Sequence, residues 1–288
     1  MSSHFGIEIE VSDSGFYSHN RKMNNLVKKH WAACGSKQEI NCGSDHCGYE
    51  YRTPKMLTSL PNIVRIRKFI DGLQSEIGKN GFPNAESLFK QDTGMHVHVD
   101  VKTLNKAARN NMFKTFFLFE QCLLKCQPSC RTNNHWCPSI TRASHIKNDP
   151  ELINTLDFSS NCSWNNPLSR NNNSELGVYL SHRYPTVEVR YGRSTFNSDD
   201  VINWVLLLLI IVENARHMPV NFKVPFLVLD SSWPKKEVPA SVSGKTAFLK
   251  FVENAQLDKQ CMMNLRQSVA CWVNSKISAS RAIVNLKR

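Results

Sequence analysis

"TGMHVHVD", residues 93–100, holds two histidines two positions apart within a short, β-branched apolar stretch. Side chains along a strand point alternately to its two faces. The pattern therefore predicts a strand with His96, His98 and Asp100 on one face and valines on the other. Gly94 lies just before the pair, where a ligand or another backbone can approach closely. Because a strand that only packs carries apolar residues at such positions, the histidines indicate a polar site.

Two other stretches, "FGIEIEV" near the N-terminus and "TVEVRYG" further along, alternate in the same way. Each puts a charged pair on one face of a predicted strand: Glu8 with Glu10, and Glu188 with Arg190. A single such pair is usually the solvated face of a strand. Three pairs in one chain are harder to explain as solvated faces, so we expect the polar faces to meet.

The rest of the chain alternates helix and strand patterns without an internal repeat. "YEYRTPKM", residues 49–56, predicts a further strand that ends at Pro54. Helical spacing of apolar residues predicts helices over 60–79, 104–126, from Val201, 245–256 and 262–276. After the strand "TVEVRYG", Asp199 or Asp200 is the predicted N-cap of the helix that begins at Val201. These patterns predict one α+β domain over residues 1–288, with a loop-rich insertion at about 131–175 and a helical C-terminal part at about 199–288.

The composition is that of a globular protein with a net positive charge. Of 288 residues, 41% are apolar and 21% charged, and the net charge is +12. This charge favours anionic partners, although no basic block indicates a nucleic-acid tail. The longest apolar run, residues 205–212, is far short of the ~20 residues that span a bilayer, so no membrane partner is expected. The N-terminus has no pattern of a secretory signal, so a cytoplasmic location is expected.

Ten cysteines occur in the chain, and a cytoplasmic location argues against a disulfide framework as their role. Cys122, Cys126 and Cys130 are spaced by four, which places them on one face of a predicted helix. Cys137 and His135 follow, but the paired short spacings of zinc sites are missing. We therefore expect reduced, buried thiols here, with a zinc site as the alternative.

The polar pairs together suit a particular chemistry. Clustered carboxylates repel one another unless a cation lies between them. Glutamates with histidine suit Mg²⁺ or Mn²⁺, and a nearby arginine suits the charge of a phosphoryl group. The phosphate-binding pattern GxxxxGK[ST] does not occur in the chain. The pattern thus indicates a metal–nucleotide site for phosphoryl transfer without a P-loop.

In order along the chain, "GIEIE", "GYEYRTP", "TGMHVHVD" and "VEVRYG" resemble the motifs of the putative amidoligase family. That family is similar to the glutamine synthetase and glutamate–cysteine ligase superfamily of carboxylate–amine ligases. The resemblance implies a glutamine synthetase-like curved, mainly antiparallel sheet with helices packed on one face. Members often carry Asp-Gly-Ser ahead of the second glutamate, but this chain has "NCGSDHCGYE". The displaced Asp45 leaves substrate contacts there open, and Cys42, His46 and Cys47 leave open a redox or metal variation.

The resemblance also implies a role for each matching residue. The implied metal ligands are Glu8, Glu10, Glu50, His96 and Glu188. Glu8 and Glu10 would bind two different metal ions, His98 would lie near the nucleotide, and Arg190 would face the transferred phosphate. Arg190 and Glu50 are the implied catalytic residues. Arg183 and Arg193 are nearby basic residues and further candidates for contacts with phosphate or substrate.

The activity implied is that of an ATP-dependent carboxylate–amine ligase that uses Mg²⁺ or Mn²⁺. It would form an amide or isopeptide bond through an acyl phosphate, with a peptide or protein among the candidate substrates. The insertion at 131–175 is a candidate lid that keeps water out, and a plain surface insertion is the alternative. Two other functions stay open: a guanidino-kinase-like phosphotransferase on the same site, and a non-catalytic nucleic-acid-binding module.

Overall fold

The computed structural model describes residues 4–12, 17–45, 48–77, 79, 88–89, 93–128, 137, 139–140, 152–155, 177–180, 185–223, 242–257 and 260–286. The strands are β1 (His4–Ser12), β2 (Asn41–Asp45), β3 (Gly48–Arg52), β4 (Met56–Leu57), β5 (Gly94–Asp100), β6 (Val178–Leu180) and β7 (Thr186–Arg193). The helices are α1 (Tyr17–Ala33), α2 (Leu60–Glu76), α3 (Lys106–Lys125), α4 (Leu152–Thr155), α5 (Ser198–Asn214), α6 (Val242–Asn254) and α7 (Gln260–Leu286).

The strands form one sheet in the order β2-β3-β1-β5-β7-β6, and the short β4 pairs with β1. The pairings among these strands are antiparallel. Helices and a mainly antiparallel sheet together confirm the α+β class. Because β1 lies between β3 and β5, the three strands with the predicted polar motifs in the first hundred residues are direct neighbours.

The apolar face of the sheet and the helices share one core. Ile7 and Ile9 of β1, Val97 and Val99 of β5, and Val189 of β7 are buried in it. Helix α5 packs against this face, and the run at residues 205–212 is completely buried, as its sequence predicts. Each fully buried aliphatic side chain contributes about 1.5–3 kcal/mol. This packed face holds the strands in place while their opposite face carries the polar residues.

The start of α5 differs from the sequence prediction. Asn197 is the N-cap, and its side-chain oxygen accepts a hydrogen bond from the Asp200 amide at 3.0 Å. The predicted caps, Asp199 and Asp200, are therefore wrong and lie within the first turn. Asparagine is among the best N-caps, and acidic residues in the first turn are still favourable beside the positive end of the helix dipole.

Several elements were not predicted. Helix α1 buries Met23, Val27 and Trp31, and β2 and β6 are short strands with no clear alternation. The predicted strand over 49–56 is two strands, β3 and β4, separated at Pro54. Helix α1 ends at Ala33, and Gly35, two residues later, has a φ of 76°, a left-handed conformation that suits a residue without a side chain.

The predicted insertion at 131–175 contains the short helix α4 and the buried residues Cys137 and Ile140. Its other residues mostly lie outside the described part of the chain, so the lid prediction is untested there. Among the described helices, none is both long enough and apolar enough to cross a membrane.

Three cysteines of this group lie in the described part of the chain. Cys122, Cys126 and Cys137 are buried and form no disulfide, whereas Cys130 and His135 lie outside the described residues. Helix α3 ends at Lys125, so Cys126 is its C-cap. Burial raises the pKa of the Cys126 thiol above its usual value, which keeps that thiol neutral and suits a packing role.

Candidate active site

Strand register brings the glutamate pair of β1 against polar residues of both neighbouring strands. Glu10 lies directly opposite Glu50 of β3, and Glu8 lies directly opposite His96 of β5. Directly opposed residues of antiparallel strands have side chains on the same face, with Cβ atoms about 5 Å apart. Motifs separated by more than 80 residues thus meet on the face of the sheet opposite the helices.

His96 is the centre of this polar face. Its Nδ1 is 3.3 Å from Glu8 Oε2 and 3.6 Å from Glu188 Oε1, and its Nε2 is 3.2 Å from Glu10 Oε1. The residue is 4% exposed. An imidazole surrounded by three carboxylates and almost without solvent offers ring nitrogens as ligands beside acidic oxygens.

His98 and Glu188 extend the site towards β7, where they lie opposite each other. His98 Nε2 is 3.2 Å from Glu8 Oε1, and its Nδ1 is 3.8 Å from Glu188 Oε2. Burial disfavours a charged imidazole, but the hydrogen bond with Glu8 and the charge of Glu188 raise the pKa of His98 overall. The Tyr179 hydroxyl of β6 donates a hydrogen bond to Glu188 Oε2, which holds this carboxylate in place.

Glu50 and Arg52 close the site on the side of β3. The Arg52 guanidinium lies 3.1 Å from Glu8 Oε1 through Nε and pairs with Glu50 Oε2 through Nη2. Burial and the adjacent Glu8 carboxylate raise the pKa of Glu50 to about 9. Burial also opposes the ionisation of Glu8, but hydrogen bonds with His96 and His98 outweigh it and lower the pKa of Glu8.

The described residues form two clusters whose ligand atoms lie within 4.8 Å of one another: Glu8 with Glu50 and His96, and Glu8 with His98 and Glu188. Glu8 belongs to both clusters. The donor set of carboxylate oxygens and imidazole nitrogens fits Mg²⁺ or Mn²⁺. Two buried carboxylates in contact need a positive charge between them, and a divalent cation can supply that charge.

Glu10 has a different position from the other candidate ligands. Its Oε1 contacts His96, and its Oε2 accepts a hydrogen bond from the Gly94 amide at 2.5 Å. Neither of the two clusters found among the described residues includes it. In this geometry Glu10 orients the imidazole of His96, and the close approach expected at Gly94 is a contact with this carboxylate.

Arg190 lies on the opposite flank of the site from Arg52. Its Nε is 3.4 Å from Glu188 Oε1 and 3.3 Å from His96 Nε2, and its side chain is 13% exposed. The backbone amide of Arg190 also donates to the Gly177 carbonyl at 2.8 Å. A guanidinium is thus held beside one glutamate of the second cluster.

Other candidate residues lie elsewhere or are not described. Arg193 donates from its guanidinium to the Phe89 carbonyl at 3.4 Å, and its amide donates to Gln127. Asp100 shares the histidine face but pairs with Lys55 at 2.5 Å. Cys42 is half-buried in β2 as a free thiol. Arg183, His46 and Cys47 lie outside the described residues.

Two residues of the site were missed in the sequence. Arg52 follows Glu50 by two positions, and the same alternation that pairs Glu188 with Arg190 would have placed it beside Glu50. Tyr179 lies in the three-residue strand β6, which is too short to show an alternating pattern. Its position opposite Glu188 depends on the pairing of β6 with β7.

Comparison with known proteins supports the resemblance for the part of the chain that holds two of the four motifs. A family model described as a putative amidoligase enzyme matches residues 82–212. This segment contains His96, His98, Tyr179, Glu188 and Arg190 of the site, whereas Glu8, Glu10, Glu50 and Arg52 precede it. No curated protein matches the chain. The description is that of a ligase, and through residues 82–212 the chain shows the resemblance to the putative amidoligase family that its motifs indicate.

Proposed function

We propose that the protein is an ATP-dependent ligase that joins a carboxylate to an amine through an acyl phosphate. The observation that carries the proposal is the pair of acid–histidine clusters that share Glu8, with Arg190 beside them. The family match supports a ligase. The central antiparallel strands, with polar residues on one face and helices on the other, suit the glutamine synthetase-like fold that the motifs imply.

Each cluster suits one divalent cation, Mg²⁺ or Mn²⁺. Glu8, Glu50 and His96 would hold the first cation, and Glu8, His98 and Glu188 would hold the second. When bound, the cations neutralise the phosphate oxygens of ATP and so favour phosphoryl transfer. Glu10 is a metal ligand by resemblance. In this proposal it supports the metal ligands by holding the imidazole of His96. Within this proposal His98 is a ligand as well as a neighbour of the nucleotide.

The chain's own residues stabilise the charge that grows during transfer. Arg190 presents a guanidinium next to Glu188 and His96, and such a group forms paired hydrogen bonds with phosphate oxygens. Tyr179 holds Glu188 through Oε2, the oxygen nearer His98, so that Oε1 stays directed towards His96 and Arg190. Arg183 is a further candidate for a phosphate contact.

The reaction has two steps. A carboxylate oxygen attacks the γ-phosphorus of ATP, the bond to the β-phosphate oxygen breaks, and ADP leaves. The amine nitrogen then attacks the acyl carbon, loses its proton, and displaces phosphate as the amide forms. The net charge of +12 favours anionic carboxylate substrates, including an acidic peptide or protein.

The test is product analysis with the full chain, ATP, Mg²⁺ and pools of carboxylates and amines. Mass spectrometry should find a product that equals the sum of one acid and one amine less water, formed in equal amount with ADP. Glu188→Gln should abolish it, whereas Asp100→Asn, outside both clusters, should retain it. A stable phosphorylated product with ADP would instead establish a phosphotransferase, and no ATP turnover by folded protein would contradict both activities.

A further inference from the structure

Arg52 lies at the end of β3, two residues after Glu50 and directly opposite Glu8. Its guanidinium contacts both carboxylates, at 3.1 Å from Glu8 Oε1 and in an ion pair with Glu50 Oε2. These two carboxylates are the acidic members of the first cluster. The guanidinium and a cation in that cluster therefore draw on the same two carboxylates.

The two arginines that flank the site differ in exposure. The Arg52 side chain is 46% exposed, whereas that of Arg190 is 13% exposed and lies beside His96 and Glu188. A half-exposed arginine on a long, flexible stem can leave its carboxylates for solvent at little cost. Arg190 is enclosed by the site and lacks that freedom.

We propose that Arg52 is the internal counter-cation of the first cluster, and that a divalent cation binding there turns its guanidinium outward to contact a phosphate group of the nucleotide. The inference rests on the proposed metal and nucleotide site. A dication within a few ångströms of the guanidinium repels it, and both draw on the same negative charge. Once released, the planar Arg52 guanidinium presents N–H donors whose geometry matches that of phosphate oxygens.

The proposal predicts effects of opposite sign on two ligands. Without Arg52 the carboxylates are left to the metal alone, so Mn²⁺ should bind more tightly. Without the Arg52 guanidinium, a nucleotide phosphate loses a hydrogen-bond partner, so ADP should bind more weakly. A general loss of folding would weaken both ligands and cannot imitate this combination.

The experiment is calorimetric titration of the full-length, chelator-treated protein, first with Mn²⁺ and then with ADP at saturating Mn²⁺. Arg52→Gln should bind Mn²⁺ about tenfold more tightly and ADP about tenfold more weakly. Arg52→Lys, which keeps the charge but not the fork, should keep the Mn²⁺ affinity and weaken ADP. Arg67→Gln is the matched control, because the Arg67 side chain is 44% exposed and pairs with Asp199 at 2.8 Å outside the site. It should change neither affinity.

Unchanged or weaker Mn²⁺ binding by Arg52→Gln, with normal binding by the wild type, would overturn the role of Arg52 and leave the metal site intact. The role of Arg52 is also overturned if Arg52→Lys binds ADP as tightly as the wild type does. If folded wild-type protein binds no Mn²⁺, the proposed metal site fails, and the inference fails with it.

Discussion

The two faces of the sheet are built from alternate residues of the same strands and differ in almost every property. In β5, Val97 and Val99 are completely buried against the helices, whereas His96 and His98 are surrounded by carboxylates. The apolar face obtains its stability from burial and tolerates no unpaired charge. The polar face brings glutamates together at a cost that only cations or protons can relieve. A strand can thus hold a rigid site because its other face is firmly packed.

The largest effect on stability should come from the packed face. Leu207 of α5 is completely buried, so Leu207→Ala should lower the free energy of unfolding by about 2–5 kcal/mol. Urea unfolding monitored by circular dichroism measures this. Turnover per folded molecule, well below the melting temperature, should stay near that of the wild type. A normal unfolding midpoint would show that the core of α5 does not support the sheet.

The largest effect on turnover should come from Arg190. Arg190→Lys should lower the rate of ADP formation by about a hundredfold or more, because a lone ammonium does not reproduce the guanidinium fork. Melting and binding of Mg–ATP should change little. The control is Arg67→Lys, a half-exposed arginine paired with Asp199. If Arg190→Lys melts far lower instead, the residue balances Glu188 structurally and its catalytic role is lost.

Tyr179 should affect the polar face through its hydrogen bond to Glu188. Tyr179→Phe removes one hydroxyl while keeping the buried ring, so Mn²⁺ affinity should fall about tenfold, as when a partner of a metal ligand is removed. Titration of Mn²⁺ by its paramagnetic resonance signal measures this change. The melting temperature of the metal-free protein should shift by only a few degrees. An unchanged Mn²⁺ affinity would mean that Glu188 keeps its orientation without the hydroxyl.

The smallest effect should come from the cap of α5. Asn197→Ala removes the hydrogen bond to the Asp200 amide and should cost about 1 kcal/mol of stability. Mn²⁺ affinity should stay the same, because α5 contacts the apolar face. Chemical denaturation of Asn197→Ala and of Asp199→Asn, which keeps the cap, separates the effect of the capping hydrogen bond from that of the charge in the first turn. A larger loss in Asp199→Asn would restore the aspartate as the main stabiliser of this helix end.

Much of the polar face is predictable because alternation in a strand is a local property. The two-residue repeat of a strand places five side chains on one face, and they meet there as their sequence pattern predicts: Glu8, Glu10, His96, His98 and Glu188. Which strand lies beside which is a long-range property, so the contact of Tyr179 with Glu188 could not be inferred from the chain. Arg52 could have been found, since it obeys the same local rule as Glu50.

The helix boundaries show a different limit. Apolar spacing finds the middle of α5, but its first residue depends on a hydrogen bond between Asn197 and one backbone amide. Four consecutive residues with good capping chemistry, Asn197 to Asp200, lie at this junction. Propensity alone does not choose between them.

The central claim is that the polar face holds two divalent cations through Glu8, and Mn²⁺ titration of the full chain tests it most directly. Wild-type protein should bind two Mn²⁺ ions per chain, one for each cluster, with a coupled paramagnetic resonance signal. Glu8→Gln should lose both ions while it remains folded, and Asp100→Asn on the same strand face should keep them. Equal Mn²⁺ binding by Glu8→Gln and the wild type, or none by folded wild-type protein, would contradict the account.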